Sequence, residues 1–236
     1  MTEKSLNGKI ALITGASKGI GAAVAKAYAN KGVHVILLAR NVSGLEAVDD
    51  EIRAMGGEAT LIPCDITDFD AIEKLGPMIF KRFGGLDVFV GNAGMSGTLK
   101  PLPQISPREF EMVLQTNLTA NYHLLRALDP LLRQSENGRV IFVTIGEVVT
   151  KGRAYWGTYA VSKAALETMA RVYADETKET NMRVNLIDPG VVRTDMRAGV
   201  NPGEDPMSIP AAEDVTDIFI KLTSPSLEEH GEVFRI

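Results

Sequence analysis

Tyr159 and Lys163 lie four residues apart, and their types and spacing suit proton transfer. In a helix, residues i and i+4 project from one face, and residues 159–178 carry helical spacing. A phenol with an ordinary pKa near 10 is a poor base at neutral pH. An ammonium ~5 Å away, at an effective dielectric near 20, favours the phenolate by about 3 kcal/mol. The pair therefore predicts a tyrosine that exchanges protons near physiological pH. A second run, Thr14-Gly15-Ala16-Ser17-Lys18-Gly19-Ile20-Gly21, precedes helical spacing over residues 22–30. Glycine at 15, 19 and 21 permits a tight turn, close backbone approach to a pyrophosphate and close helix packing, while a helix N-terminus offers unpaired N–H groups to the anion. Alone, each feature has a plainer reading: a packed tyrosine–lysine pair, or a flexible turn.

The elements that must position these groups follow from seven short apolar runs, at residues 9–14, 33–39, 59–64, 86–91, 139–145, 182–188 and 232–236. They are nearly continuous in Val, Ile and Leu rather than alternating, which suits strands covered on both faces of a parallel sheet. Between them lie helical segments whose starts read as capping boxes, Ser43 with Glu46 and Ser106 with Glu109, the latter with Pro107 at the first helical position. This βαβ alternation predicts a single doubly wound Rossmann-type α/β domain over residues 1–236, with a mostly parallel seven-stranded sheet and helices on both faces. Ligands then sit beyond the carboxyl ends of the strands. Pro and Gly concentrate at residues 199–210, predicting a flexible substrate loop at about 195–212.

The TGxxxGIG spacing resembles the short-chain dehydrogenase/reductase family. The resemblance continues through Asn92-Ala93-Gly94, Asn117 in a long helix, Tyr159-x-x-x-Lys163 and Asn185-x-x-x-Pro189-Gly190-x-x-x-Thr194, spanning nearly the whole chain. It implies an oxidoreductase that moves a hydride between a nicotinamide and a small-molecule carbonyl or secondary alcohol. Tyr159 would be general acid/base, Lys163 would also hold the ribose hydroxyls, and Asn117 would support a water-linked proton path. Gly15, Ser17, Lys18, Gly19, Ile20 and Gly21 would hold the cofactor. Asp65 and Ile66 would meet adenine, with a helix N-cap as the competing role for Asp65. Asn92, Ala93 and Gly94 would line the nucleotide, and Pro189, Gly190, Val192 and Thr194 would meet the nicotinamide. The family also implies a homodimer or homotetramer built on the helices carrying Asn117 and Tyr159.

An acidic residue at the end of the second strand would select NAD. Here that strand ends in Leu38-Ala39-Arg40-Asn41, and Lys18 sits in the glycine turn, so two cations are available for a 2′-phosphate. NADP (NADPH) is the expected cofactor. One family group is missing: the serine thirteen residues before the tyrosine is Gly146, within Val143-Thr144-Ile145-Gly146-Glu147. Thr144 shares that strand face but lies roughly 6.6 Å further back. Thr150 requires an inward fold of the loop, and a backbone N–H is the third option. An unreplaced hydroxyl predicts slow turnover with cofactor binding intact, and a gain from Gly146→Ser. The competing class is an NADP-binding protein of the same fold with weak or no catalysis, serving as a redox sensor or structural element.

Composition narrows the remaining classes. Across 236 residues, 30 Asp plus Glu against 25 Lys plus Arg leave a net charge of −5, which argues against a dedicated nucleic-acid or anionic-membrane binder. Cys64 is the only cysteine, so no intrachain disulfide forms. His34, His123 and His230 lie far apart without HExxH spacing, so no metal site is expected. No apolar run approaches the roughly eighteen residues of a membrane helix, and no basic-then-apolar leader opens the chain, so a cytoplasmic location is expected.

Overall fold

The computed structural model describes residues 6–236. The Val/Ile/Leu-rich runs form β1 Ile10–Thr14, β2 His34–Ala39, β3 Ala59–Pro63, β4 Val88–Gly91, β5 Arg139–Val143, β6 Arg183–Asp188 and β7 Val233–Arg235. Their order is β3-β2-β1-β4-β5-β6-β7, and every pairing is parallel, where the sequence predicted a mostly parallel sheet. The chain changes direction across the sheet between β1 and β4, which opens a crevice at their carboxyl ends.

Alternating strand residues feed two apolar layers. Ile13 and Leu37 pack with α1 (Gly19–Ala29), α2 (Val42–Ala54) and, at the far side, α10 (Thr216–Thr223), through Val24, Leu45 and Phe219. Leu12 and Ile36 face the opposite layer, which holds α3 (Phe69–Glu73), α4 (Leu75–Phe83), α6 (Ala120–Gln134) and α8 (Gly157–Thr177). The long helix expected around Asn117 is α5 (Pro107–Leu114) joined to α6 through one π-helical turn, Gln115–Thr119.

Helix starts follow local capping. Ser106 caps α5 by accepting the Glu109 N–H at 3.2 Å. The Glu109 carboxylate does not close the box; it binds the Thr98 N–H at 2.6 Å and hydroxyl at 2.5 Å, tying the loop after β4 to α5. The second predicted box is displaced, because Asn41, not Ser43, caps α2 by accepting the Gly44 N–H at 3.2 Å. Asparagine is among the strongest N-caps, so the helix starts as soon as β2 ends and takes Ser43 into its first turn.

The segment expected to be a flexible loop contains α9 (Asp195–Val200), capped by Thr194, and a 3₁₀ turn at Pro206–Ser208. Arg197 holds Glu204 in a bidentate pair at 2.6 and 2.5 Å, closing this segment on itself. α7 (Gly146–Lys151) connects β5 to α8.

Candidate active site

The glycine turn is shaped by positive φ at two positions and by a backbone contact at a third. Gly15 and Gly19 adopt φ of +66° and +57°, the left-handed region where glycine avoids a Cβ clash. A Cβ on Gly21 would overlap the Gly15 carbonyl oxygen and lie 2.6 Å from Asn92 Nδ2. Asn92 and Ala93 both donate their N–H groups to Thr14 Oγ1 at 3.0 Å, and Asn92 Nδ2 donates to the Thr14 carbonyl at 2.9 Å, so the β4 end clamps the β1 end. α1 begins after Lys18 without a side-chain cap, leaving its first N–H groups to an external acceptor. A glycine cradle and uncapped amides at one helix end fit a pyrophosphate.

Ser17, Ile20, Val192 and Thr194, all expected around a nucleotide, pack at or beside this turn. Ser17 packs beneath α2, 3.0 Å from where a Cβ on Gly44 would sit. Ile20 packs against buried Val192, and the Thr194 methyl faces Gly19, 3.3 Å from its Cβ position. Gly190 follows Pro189 with φ of +66°. Ile66 is buried. Asp65 accepts the Thr67 N–H and hydroxyl at 2.9 and 2.8 Å, whereas Asp68 caps α3, so the N-cap alternative for Asp65 does not hold. Lys18 and Arg40 each stand in a separate ion pair, with Asp195 at 2.7 Å and Asp65 at 3.4 Å, all four side chains substantially exposed.

α8 places Tyr159 and Lys163 on one face, with Lys163 Nζ 5.7 Å from the centre of the phenol ring. Both are buried, at 8% and 2% exposure. Burial pushes the Lys163 ammonium down to about 8, and Nζ donates to the Val143 carbonyl at 2.7 Å. Burial, then the negative charge of Asp188, pushes the Tyr159 phenol up to about 12. The expected depression of its pKa is therefore reversed: lost hydration disfavours the phenolate more than a buried, already bonded ammonium favours it. The Tyr159 hydroxyl meets Met196 Sδ of α9 at 4.0 Å.

Asn117 sits in the π-helical turn, an irregularity frequent at functional sites. Its Oδ1 accepts the Met95 N–H at 2.8 Å, and Nδ2 donates to the Met95 carbonyl and to Ser162 Oγ, both at 2.9 Å. Ser162 donates in turn to the Tyr159 carbonyl at 2.8 Å. Gly94 passes between Asn117 and Lys163, its Cβ position 3.1 Å from Asn117 Oδ1 and 3.5 Å from Lys163 Nζ. Sequence reasoning missed Ser162 and Met196; the position of Ser162 three residues after Tyr159 was the one available signal.

Both threonine hydroxyls considered as stand-ins at Gly146 have partners elsewhere. Thr144 donates to Glu167 at 2.7 Å inside the core, and Thr150 donates to the Gly146 carbonyl at 3.0 Å within α7. A Cβ at Gly146 would overlap Asp188 Oδ2 and lie 2.8 Å from Arg235 Nε, so the gain expected from Gly146→Ser requires the ends of those two side chains to move aside. A cleft of about 450 Å³ opens between Ser96–Leu99 and the α9 residues Asp195, Met196, Gly199 and Val200. Among the described residues, no three His, Cys, Asp or Glu side chains are grouped to hold a metal, and no helix is long and apolar enough to cross a membrane. His230 instead accepts the Val184 N–H at 3.0 Å, and His123 stacks on Phe69.

A parallel sheet in this strand order, with a glycine cradle and an uncapped helix at its switch point, defines a Rossmann-type nucleotide-binding domain. The chain belongs to the short chain dehydrogenase family, whose pattern it matches over residues 9–205. YciK of Escherichia coli (strain K12), named an uncharacterized oxidoreductase, is 38% identical over 223 residues, covering 92% of this chain and 86% of that protein. The 3-oxoacyl-acyl-carrier-protein reductase FabG of the same organism is 35% identical over 193 residues, covering 81% and 77%. A short chain dehydrogenase structure from Shigella flexneri 2a, complexed with NADP, superposes with a TM-score of 0.95 at 36% identity over 99% of each chain. One from Escherichia coli CFT073, complexed with NADPH, gives 0.95 at 36% identity over 100% of this chain and 99% of that one.

Proposed function

We propose that this protein is an NADP(H)-dependent oxidoreductase acting on a carbonyl or secondary alcohol, with Tyr159 as the proton donor and acceptor. The carrying observation is that α9 touches both halves of the site: Thr194 at its start lies over Gly19, and Met196 lies over the Tyr159 hydroxyl. The segment Thr194–Met196 thereby links the glycine turn to the phenol. NADP(H), when bound, supplies or takes the hydride. Gly15, Ser17, Gly19, Ile20 and Gly21 would cradle its pyrophosphate, and Asp65, Ile66 and Asn92 to Gly94 would line its adenosine side. Pro189, Gly190, Val192 and Thr194 would border the nicotinamide. Arg40 and Lys18, held in exposed pairs that are individually weak, would turn to the 2′-phosphate, and Asn41 would fix the strand end beside them.

Tyr159, neutral at physiological pH, gives its proton to the carbonyl oxygen during reduction; the reverse reaction needs it as the phenolate. Lys163 keeps two further N–H donors beside the one given to Val143, which suits the ribose hydroxyls. Asn117 and Ser162 hold the α8 backbone at Tyr159 in place. The cleft between Ser96–Leu99 and α9 would take the substrate, with α9 and the residues through 212 as its movable wall. The related reductases, FabG among them, support a small-molecule substrate. Exposed Tyr122, Val161 and Val172 on α6 and α8 suit a homodimer or homotetramer. The test is NADPH oxidation with ketones, aldehydes, quinones and 3-oxoacyl thioesters, with Tyr159→Phe as control. Turnover lost in that variant supports the reading. NADPH binding without any turnover favours a nucleotide-binding role instead.

A further inference from the structure

Asp188 and Arg235 end adjacent parallel strands and are directly paired in register. Their side chains converge on one point. A Cβ built on Gly146 would overlap Asp188 Oδ2 and lie 2.8 Å from Arg235 Nε and 3.3 Å from Arg235 Cζ. Asp188 Oδ1 accepts the Gly190 N–H at 3.1 Å, which fixes the carboxylate beside the site, and its charge reaches the Tyr159 phenol. Among the described residues, the Arg235 guanidinium has no side-chain hydrogen bond and no carboxylate within ion-pair distance. Its donors are uncommitted at the carboxyl end of the sheet, where ligands bind.

We propose that Arg235 replaces the hydroxyl absent at Gly146: Arg235 donates to the substrate oxygen that Tyr159 protonates, while Asp188, held by the Gly190 N–H and not paired with the guanidinium, shares the space that a side chain at 146 would occupy. This rests on the proton-transfer role of Tyr159. Glycine at 146 is then an opening that admits two side chains from β6 and β7. A guanidinium stays charged throughout the working pH range and presents a planar fork of donors. Its hydrogen bonds to an oxygen gaining negative charge are roughly twice as strong as neutral ones. That makes it a stronger electrophile than the hydroxyl it replaces.

The experiment uses the full chain and the carbonyl compound of the panel that it reduces fastest with NADPH. Arg235→Gln should lower kcat by about 10²-fold or more, the scale of losing one oxyanion donor, with KM and NADPH affinity by fluorescence titration little changed. Arg235→Lys should recover part of kcat. Gly146→Ser alone should lower turnover. Placed in an Asp188→Ala/Arg235→Ala background, where the hydroxyl has room, it should raise turnover above that background by roughly tenfold, a fraction of one oxyanion donor's effect. Wild-type kcat in Arg235→Gln, or a gain from Gly146→Ser alone, overturns the proposal. Tyr159→Phe assayed alongside separates the two layers. Retained turnover there removes the underlying reading, whereas its loss together with an inert Arg235→Gln removes only the present inference. No turnover by the unmodified protein counts against both.

Discussion

The two halves of the sheet use glycine for different reasons. At the β1 end, Gly21 is required because backbone meets backbone: a Cβ would strike the Gly15 carbonyl of its own turn. At the β5 end, a side chain at 146 would instead meet the movable ends of side chains from β6 and β7. The first constraint arises within eight consecutive residues and belongs to the turn itself. The second exists only once three strands lie side by side. A glycine in a motif and a glycine in place of a motif residue thus carry different information.

The contrast can be broken most directly at the phenol. Tyr159→Phe should lower turnover by ~10²–10⁴-fold, the usual contribution of a general acid, with NADPH affinity preserved in fluorescence titration. Equal loss of binding would mean that the two halves are not separable. Gly21→Ala should do the reverse. Its buried overlap costs about 1–3 kcal/mol of stability by denaturant titration and weakens NADPH binding, while Gly146→Ala leaves NADPH affinity unchanged.

Arg40→Asp sharpens the cofactor half alone. Removing a charge-assisted contact worth roughly 1.5–3 kcal/mol should move the ratio of NADPH to NADH affinity by about tenfold or more toward NADH, read by titrating both nucleotides. An unchanged ratio would assign 2′-phosphate recognition elsewhere. The smallest effect is expected at Asn41→Ala, where loss of the α2 cap should cost about 1 kcal/mol in thermal or chemical unfolding. Ser43→Ala, at the position where the sequence placed that cap, should cost less.

Much of the architecture was legible because it rests on local rules. Continuous apolar runs announced strands buried on both faces, and each of the seven appeared within a few residues of its expected bounds. Ser106 with Pro107 marked the start of α5 correctly. The Ser43 box failed because two adequate caps competed within three residues, and the end of β2 decided for Asn41. The segment expected as a flexible loop contains α9, capped by Thr194, a residue the sequence offers for the cofactor. In the site, Tyr159 and Lys163 share a helix face as their spacing required. Yet the direction of the Tyr159 shift was misjudged, because spacing reports the neighbouring ammonium and is silent about burial and about Asp188.

Seven strands, a glycine-lined turn and a Tyr–Lys face follow from the chain alone, because chirality, backbone sterics and helical periodicity act between near neighbours. Tertiary structure decided what fills the space at Gly146, which hydroxyls are already bonded, and how much water reaches the phenol. Those depend on side chains that only the folded sheet brings together, and on a dielectric that only burial creates.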